Sequence, residues 1–527
     1  MMRTKENPQS NDMSRRTFLR GLSAAATFAS VPHVFRVHHA YAQHNPRDQF
    51  AIRGDRFGRL FPNLNPFAEP SSQLDAALLE LGKPGGILDA QDALDRGPVD
   101  LIVDLSLSTN NPNNPTHPAG ATFMGQFMDH DMTFDVNSRL GKPTIPERSR
   151  NERSPSLDLD SVYGLGPIAD PELYERARPA VKFKVESGGL FEDLPRTTST
   201  AAVIADLRND ENLIIAGLHA ACLLFHNKAV DFIGTNDRRQ SSSEVFEKAR
   251  QLTRWHYQWL ILHEFLPLFI GQGLVNDILR HGRKFYVPRA AYIPVEFQGA
   301  AYRFGHSMVR PSYRANLAGD NNQPFFAMIF DPKQEGVSDP NDLRGGVRAP
   351  RRFIGWQTFF DFEDGEMRPN KLIDTRLSTP LFDLPRGTIP APGGPTSLAQ
   401  RNLLRHVTWQ LPSGQSIARH MRVPALSAGD LQELRGLGQN LDISTPLWYY
   451  ILKEAEVMED GLHLGPVGGR IVGEVIIGIM QLSPRSYLSV DRRWRPTLPT
   501  RHGRVSGDFR MVDFLTFAGV DPTNRGQ

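Results

Sequence analysis

A chain of 527 residues, 40% hydrophobic and 22% charged, has the make-up of a large folded globular protein. Its formal net charge of +2 lacks the strong basic bias of a nucleic-acid binder. A single cysteine, Cys222, excludes an intrachain disulfide, so stability must come from the core and from any bound group. Cys222 lies in the apolar run Ala220 to Phe225 and reads as a buried, inert thiol.

The chain opens on a targeting signal. Ser14-Arg15-Arg16-Thr17-Phe18-Leu19-Arg20 reads as a twin-arginine export motif, followed by the weakly apolar run Gly21 to Val31. That run is too short to span a bilayer as a mature helix, which argues against stable membrane insertion. Ala40-Tyr41-Ala42 fits a small-x-small cleavage site. The expected division is therefore a signal peptide over 1–42 and one domain over 43–527, exported to the periplasm or the exterior. The plain alternative is a chance Arg-Arg pair in a tail. Twin-arginine export carries folded proteins, often with cofactors already inserted.

Residues 43–118 are rich in Pro, Asn and Gly and predict loops with short helices. Ala119 to Phe134 has helical spacing, with Phe123, Phe127 and Met128 on related turns. Residues 141–200 read as irregular. Two long helices are predicted, Asp210 to Phe232 and Ser243 to Leu268, and another over 299–310. Residues 313–395 read as loops. Helical pattern returns at 396–408, 428–436, 445–457 and 467–482. Few stretches alternate with period two, so the class is mainly α: a single large helical domain with long loops and little β.

Three groups of residues carry chemistry. In Gly125-Gln126-Phe127-Met128-Asp129-His130-Asp131, helical spacing puts Gln126, Asp129 and His130 on one face. Asp131 falls about 100° further round and points elsewhere. A solvated helix end would also explain Asp-His-Asp. Downstream, Ser154-Pro155-Ser156-Leu157-Asp158-Leu159-Asp160 places oxygen-bearing residues at every second position. An extended loop of that kind can turn four oxygens toward one cation, and calcium takes six to eight; an acidic loop can equally be plain solvated surface.

The second group is Asp206-Leu207-Arg208-Asn209-Asp210-Glu211-Asn212, where Arg208 and Glu211 are three apart and can face the same way. A surface ion pair, worth little, is the alternative. His219 and His226, seven apart, read as structural hydrogen-bonding histidines. In the third group, Arg303-Phe304-Gly305-His306 places a glycine just before a histidine, permitting close approach of a flat group. Ser397 to Arg405 supplies the amide of Asn402 and two guanidiniums. A satisfied core histidine is the alternative for His306.

In this order the motifs resemble those of the animal-type haem peroxidase superfamily, including its peroxinectin-like bacterial branch: Gln-x-x-Asp-His-Asp, a Ser/Asp loop ending in Tyr163-Gly164, Asp-x-Arg-x-x-Glu-Asn, Arg-x-x-His, then a helix carrying Asn402. The resemblance covers roughly residues 50–525. It implies haem b and calcium as cofactors, hydrogen peroxide as one substrate, and an organic or halide electron donor as the other. His130 is implied as the distal base, Arg208 as its partner on peroxide, and Gln126 as the holder of distal water or halide. His306 is the implied iron ligand, with Asn402 taking its other ring N–H. Asp129 and Glu211 match positions that form ester links to haem in some members, and Arg303 and Arg405 match propionate partners. Asp131, Ser154, Ser156, Asp158 and Asp160 are the implied calcium ligands. Asn212 stands where a methionine would form a sulfonium link, so none is expected.

Other readings make different demands. A fatty-acid oxygenase of the same fold needs a tyrosine three residues before the proximal histidine, where this chain has Arg303. A peroxinectin-like adhesion protein would carry an adhesive module or repeat. A haem-free helical metalloprotein would use His219, His226, His256 and His263.

Overall fold

The computed structural model describes residues 55–175, 181–187, 191–236, 240–319, 322–346, 350–385 and 394–525. The export motif and its cleavage site lie outside the described residues. The architecture is helical, with three small antiparallel strand pairs among the described residues. β1 (Asn113–Pro118) pairs with β6 (Pro369–Lys371), β2 (Glu186–Ser187) with β3 (Glu192–Asp193), and β4 (Ser312–Arg314) with β5 (Phe326–Met328).

The β1–β6 pair aims the first functional helix, α1 (Ala119–Met132). Pro118 ends β1 in extended geometry, Ala119 N–H donates to Arg368 O at 2.8 Å, and Gly120 N–H donates to Phe359 O at 2.9 Å. Gly120 is required by packing: a Cβ there would lie 2.3 Å from the Phe360 ring. α1 is buried along most of its length, so its chemistry-bearing face opens into the protein and not to solvent.

α2 (Leu213–Asn236) begins at Asn212, whose Oδ1 accepts the Ile214 and Ile215 N–H groups at 3.1 and 3.0 Å, as an N-cap does. Its stretch Leu213–Gly234 has the length and apolar composition to cross a membrane, but 83% of the defining window is packed inside the protein. α3 (Ser242–Leu260) starts in a Ser241–Glu244 capping box and buries Phe246, Ala249, Thr253 and Tyr257 along one stripe. The predicted single helix to residue 268 is interrupted by a π turn, Ile261–Phe265, and resumes as Leu266–Ile270. Pro267 supplies the reason: lacking an N–H, it cannot close the regular ladder.

α4 (Leu398–Trp409) is capped by Ser397, and α5 (Leu447–Met458) packs beside it. α6 (Pro466–Leu482) has its N-terminus closed by the Glu454 carboxylate, which accepts from Val467 and Gly468 N–H. The fully buried indoles of Trp356, Trp409 and Trp448 sit in the common core. Two expectations fail in detail. Residues 428–436 hold only a 3₁₀ segment, Gln432–Leu437, ended by Gly438 at φ 70°. The helix predicted over 299–310 is a short α turn, Val295–Gly299, a break at Ala300, and a 3₁₀ helix, Ala301–His306. Gly299 packs under Trp409, where a Cβ would lie 2.9 Å from the indole, and tertiary packing overrides local helical preference.

Candidate active site

One cavity of about 310 Å³ brings together Gln126, Asp129 and His130 of the first group, Arg208 and Glu211 of the second, and Arg303, His306 and Arg405 of the third. Gln126, Asp129 and His130 enter it from α1, Arg208, Glu211 and Asn212 from the turn leading into α2, Arg303 and His306 from the 3₁₀ helix, and Arg401 and Arg405 from α4. A 3₁₀ helix repeats every three residues, so Arg303 and His306 share one edge, which explains why both reach the cavity. A Cβ at Gly305 would meet no atom within 4 Å, so the wall is open beside His306.

His130 Nδ1 lies 2.9 Å from Asn209 Oδ1, and its Nε2 lies 4.0 Å from Glu211 Oε2. Burial, with the Arg208 charge adding to it, pushes the imidazole down to about 3, so it is neutral and able to accept a proton. Arg208 does not pair with Glu211. Its Nη2 donates to Asp206 Oδ2 at 2.7 Å and to the backbone oxygen of His130 at 2.9 Å, and its Nε donates to Asp206 Oδ1 at 3.1 Å. Arg153 Nε holds the same carboxylate at 2.8 Å. Burial would raise the Asp206 carboxyl, but the two guanidiniums outweigh it and hold that carboxyl well below the usual range. Gln126 is held on both sides: its Nε2 donates to Glu211 at 3.3 Å and its Oε1 accepts from Asn212 at 3.3 Å. Burial raises Glu211 to about 7 and raises Asp129 as well.

His306 meets the amide of Asn402 at 2.7 Å, but the atom presented is Nδ2, a donor, while Asn402 Oδ1 accepts from Arg303 Nη1 at 3.2 Å. The expectation that Asn402 takes the ring N–H of His306 is therefore corrected. As placed, the amide donates to His306 Nδ1 because Arg303 has claimed its oxygen, and a half-turn would set two donors against each other at Arg303. Burial lowers His306 to about 3 and Arg303 to about 10. Arg405 is also corrected in part. It lines the cavity, yet its Nη1 already donates to the buried Asp135 carboxylate at 2.8 Å and to Ser138 at 2.6 Å. Among the described residues Arg303 and Arg401 form no ion pair with a carboxylate, so their charge is left for a ligand anion.

Asp131 leaves α1 on the other side and joins Asp158 and Asp160, whose carboxylate oxygens all lie within 4.8 Å of one another. Asp158 Oδ1 and Asp160 Oδ1 are buried without a hydrogen-bond partner. Burial, with Asp158 alongside, raises Asp131 to about 7, and burial raises Asp160 well above its ordinary value. Such oxygens fit a hard cation. Ser154 N–H donates to Asp160 Oδ2 at 2.8 Å, and the Ser154 and Ser156 hydroxyls contact each other at 2.6 Å. The loop is not extended as expected. Leu157 and Leu159, both fully buried, adopt left-handed φ of 49° and 63°, a conformation that persists only where the surroundings enforce it.

The histidines proposed for a haem-free metal site are separately engaged. His219 Nδ1 meets Asn209 Nδ2 at 3.0 Å, and His226 sits between Tyr163 OH and Val181 O. His256 bonds Leu252 O, and His263 stacks on Trp259 at 3.7 Å. Among the described residues the three-carboxylate group is the one that could hold a metal ion. Sequence reasoning missed Asp206, Asn209 and Tyr302, whose hydroxyl donates to Gly125 O at 3.1 Å inside the cavity wall. Asp206 carried a readable signal as an N-cap two residues before Arg208; a lone asparagine or tyrosine carried none.

Residues 135–343 match the family model described as animal haem peroxidase; Arg208 and His306 lie inside that match, His130 and Asn402 outside it. Thyroid peroxidase of Mus musculus is 23% identical over 247 residues, 40% of this chain and 26% of that protein. The chain spans between about a tenth and a third of the length of the curated relatives it matches. Peroxidase A of Dictyostelium discoideum shares the fold at TM-score 0.56 and 16% identity, covering 88% of this chain and 96% of that one. A fatty acid alpha-dioxygenase of Arabidopsis thaliana shares it at TM-score 0.51 and 14% identity, over 82% and 73%. Residues 135–343 thus carry a likeness to animal haem peroxidases, shared with these curated peroxidases, and the helical fold is one found in Peroxidase A.

Proposed function

We propose that the chain is a peroxidase that holds haem b at His306, reduces hydrogen peroxide and oxidises an organic or halide donor. The observation that carries this is the meeting of His130 and His306, from elements far apart in sequence, in one cavity. The lining fits the group: apolar walls with Phe269, Phe304 and Leu398, a neutral imidazole to ligate iron, and the unpaired guanidiniums of Arg303 and Arg401 for carboxylates. When bound, haem supplies the electron-transfer chemistry that peroxide cleavage and donor oxidation require.

The residues around it do the rest. His306 would ligate the iron, and Asn402, 2.7 Å from its Nδ1 and held by Arg303, orients the ring. His130 Nε2 accepts a proton from peroxide and returns it to the oxygen that departs as water. Arg208, always charged and clamped by Asp206, stabilises the negative charge that builds on that oxygen. Gln126, braced by Glu211 and Asn212, positions a distal water or halide. Asp129 and Glu211 are the candidates for ester links to haem. Calcium is assigned to Asp131, Asp158 and Asp160, with Ser154 and Ser156 beside them. The motif at residues 14–20 supports export to the periplasm or the exterior.

An absorption spectrum of the purified protein before and after hydrogen peroxide tests the reading. A Soret band that shifts with peroxide is expected, and His306→Ala should lose both haem occupancy and turnover. Unchanged haem content and turnover in that variant would overturn it.

A further inference from the structure

We infer that Asn209 is the positioning residue that makes His130 a base toward the cavity. The inference rests on the peroxidase reading for its consequence, and on hydrogen-bond geometry for its content. An imidazole presents a base to a substrate only if its proton sits on the nitrogen turned away. His130 turns Nδ1 away from the cavity, and that nitrogen lies 2.9 Å from Asn209 Oδ1. An amide oxygen can only accept, so Nδ1 carries the proton and Nε2 is left with its lone pair.

The reverse amide orientation would place the proton on Nε2 and abolish the base; in the structure it is the oxygen that faces His130. Asn209 Nδ2 lies 3.0 Å from Nδ1 of His219, which is buried on α2, so one amide bridges the rings of two buried histidines. Asn209 is itself fully buried, so water does not compete for either contact. Its backbone is fixed by the turn that Asp206 caps, where Asn209 N–H donates to Asp206 O at 3.0 Å. The residue beside Asn209 is Arg208, clamped by the same Asp206. The base and its cationic partner are therefore held by a single four-residue turn, Leu207–Asp210.

Two variants separate this role from a merely structural one. Asn209→Leu removes the acceptor at similar volume. Asn209→Asp keeps an acceptor and removes any donor, so it is compatible only with the proton on His130 Nδ1; His219 answers by carrying its own proton on Nδ1. The readout is the association rate of cyanide with the ferric holoprotein, followed in the Soret band at fixed pH, because hydrogen cyanide must give its proton to a base as it binds. Carbon monoxide binding to the ferrous form needs no proton transfer and serves as the control. Asn209→Leu should slow cyanide association by roughly 10–100-fold, as loss of an orienting partner does. Asn209→Asp should recover most of that rate, and carbon monoxide rates should stay within about twofold in both. A Leu variant with the wild-type cyanide rate, or an Asp variant as slow as Leu, overturns the inference.

The nitrogen spectrum of ¹⁵N-histidine-labelled protein gives a second readout that does not depend on ligand binding. One imidazole should show a protonated Nδ1 that is lost in Asn209→Leu and kept in Asn209→Asp; its absence would also overturn the inference. A wild-type protein that binds no cyanide would instead sink the peroxidase reading, while the nitrogen spectrum still decides the role of Asn209.

Discussion

At the scale of single residues, the distal chemistry depends on charges that are individually costly and mutually satisfied. Asp206 is buried between Arg153 and Arg208, and its two oxygens accept from both guanidiniums. Removing one partner of a buried pair leaves an uncompensated charge and costs about 3–5 kcal/mol. Asp206→Asn keeps the shape and removes the negative charge, leaving two cations facing each other. Its unfolding free energy should fall by about 3 kcal/mol in a denaturant titration, and a loss under about 1 kcal/mol would show that the clamp is not what holds Arg208. The histidines illustrate the complementary case. His130, His219 and His306 are all kept neutral by burial, so each serves as a hydrogen-bonding or ligand group and none as a cation.

At the scale of elements, α1 serves two sites because successive helical residues point about 100° apart. His130 faces the cavity while Asp131 faces the loop at Ser154–Asp160. The loop is tied to the distal turn by a second route: Arg153 Nη1 approaches Asp160 Oδ1 at 3.7 Å while its Nε holds Asp206. A cation among Asp131, Asp158 and Asp160 would relieve three buried carboxyls and fix the left-handed Leu157 and Leu159. Adding calcium to chelator-treated protein should therefore raise the melting temperature by several degrees, equivalent to about 2–4 kcal/mol at saturating metal. Asp158→Asn should abolish most of that increment, and an equal calcium response in the variant would remove the site from these residues.

At the scale of the whole molecule, stability depends on pH through a buried carboxyl that does not line the cavity. Glu454, which closes the N-terminus of α6, is raised from 4.5 to about 8 by burial, with hydrogen bonds from Gly468 and Val467 opposing the shift. Its native value exceeds its unfolded value, so the folded state holds an extra proton between them. The stability it contributes is present in full below about pH 4.5 and is lost as pH rises toward 8, at a slope approaching 1.4 kcal/mol per pH unit. Buried histidines impose the opposite slope on the acid side, because they must charge on unfolding. Comparing wild type with Glu454→Gln isolates the carboxyl: the stability difference between them should shrink steadily as pH rises from 5 to 8. A difference independent of pH would refute the assignment.

Much of this was legible in the chain itself. The helices near 213–236, 242–260, 398–409, 447–458 and 466–482 follow from apolar periodicity and capping residues, because those signals are local. The shared face of Gln126, Asp129 and His130, and the divergence of Asp131, follow from helical spacing alone. What only the tertiary structure decided is the choice among partners: the pairing of Arg208 with Asp206 and not Glu211, the capture of Arg405 by Asp135, and the packing of Gly299 under Trp409 just before the 3₁₀ turn that carries His306. The bridge from His130 through Asn209 to His219 joins three elements, and the left-handed loop at Asp158 is imposed by its surroundings. Periodicity encodes which way a side chain leaves its own helix; it does not encode which distant group is waiting there, and buried polar groups must be satisfied by whatever the fold brings within reach.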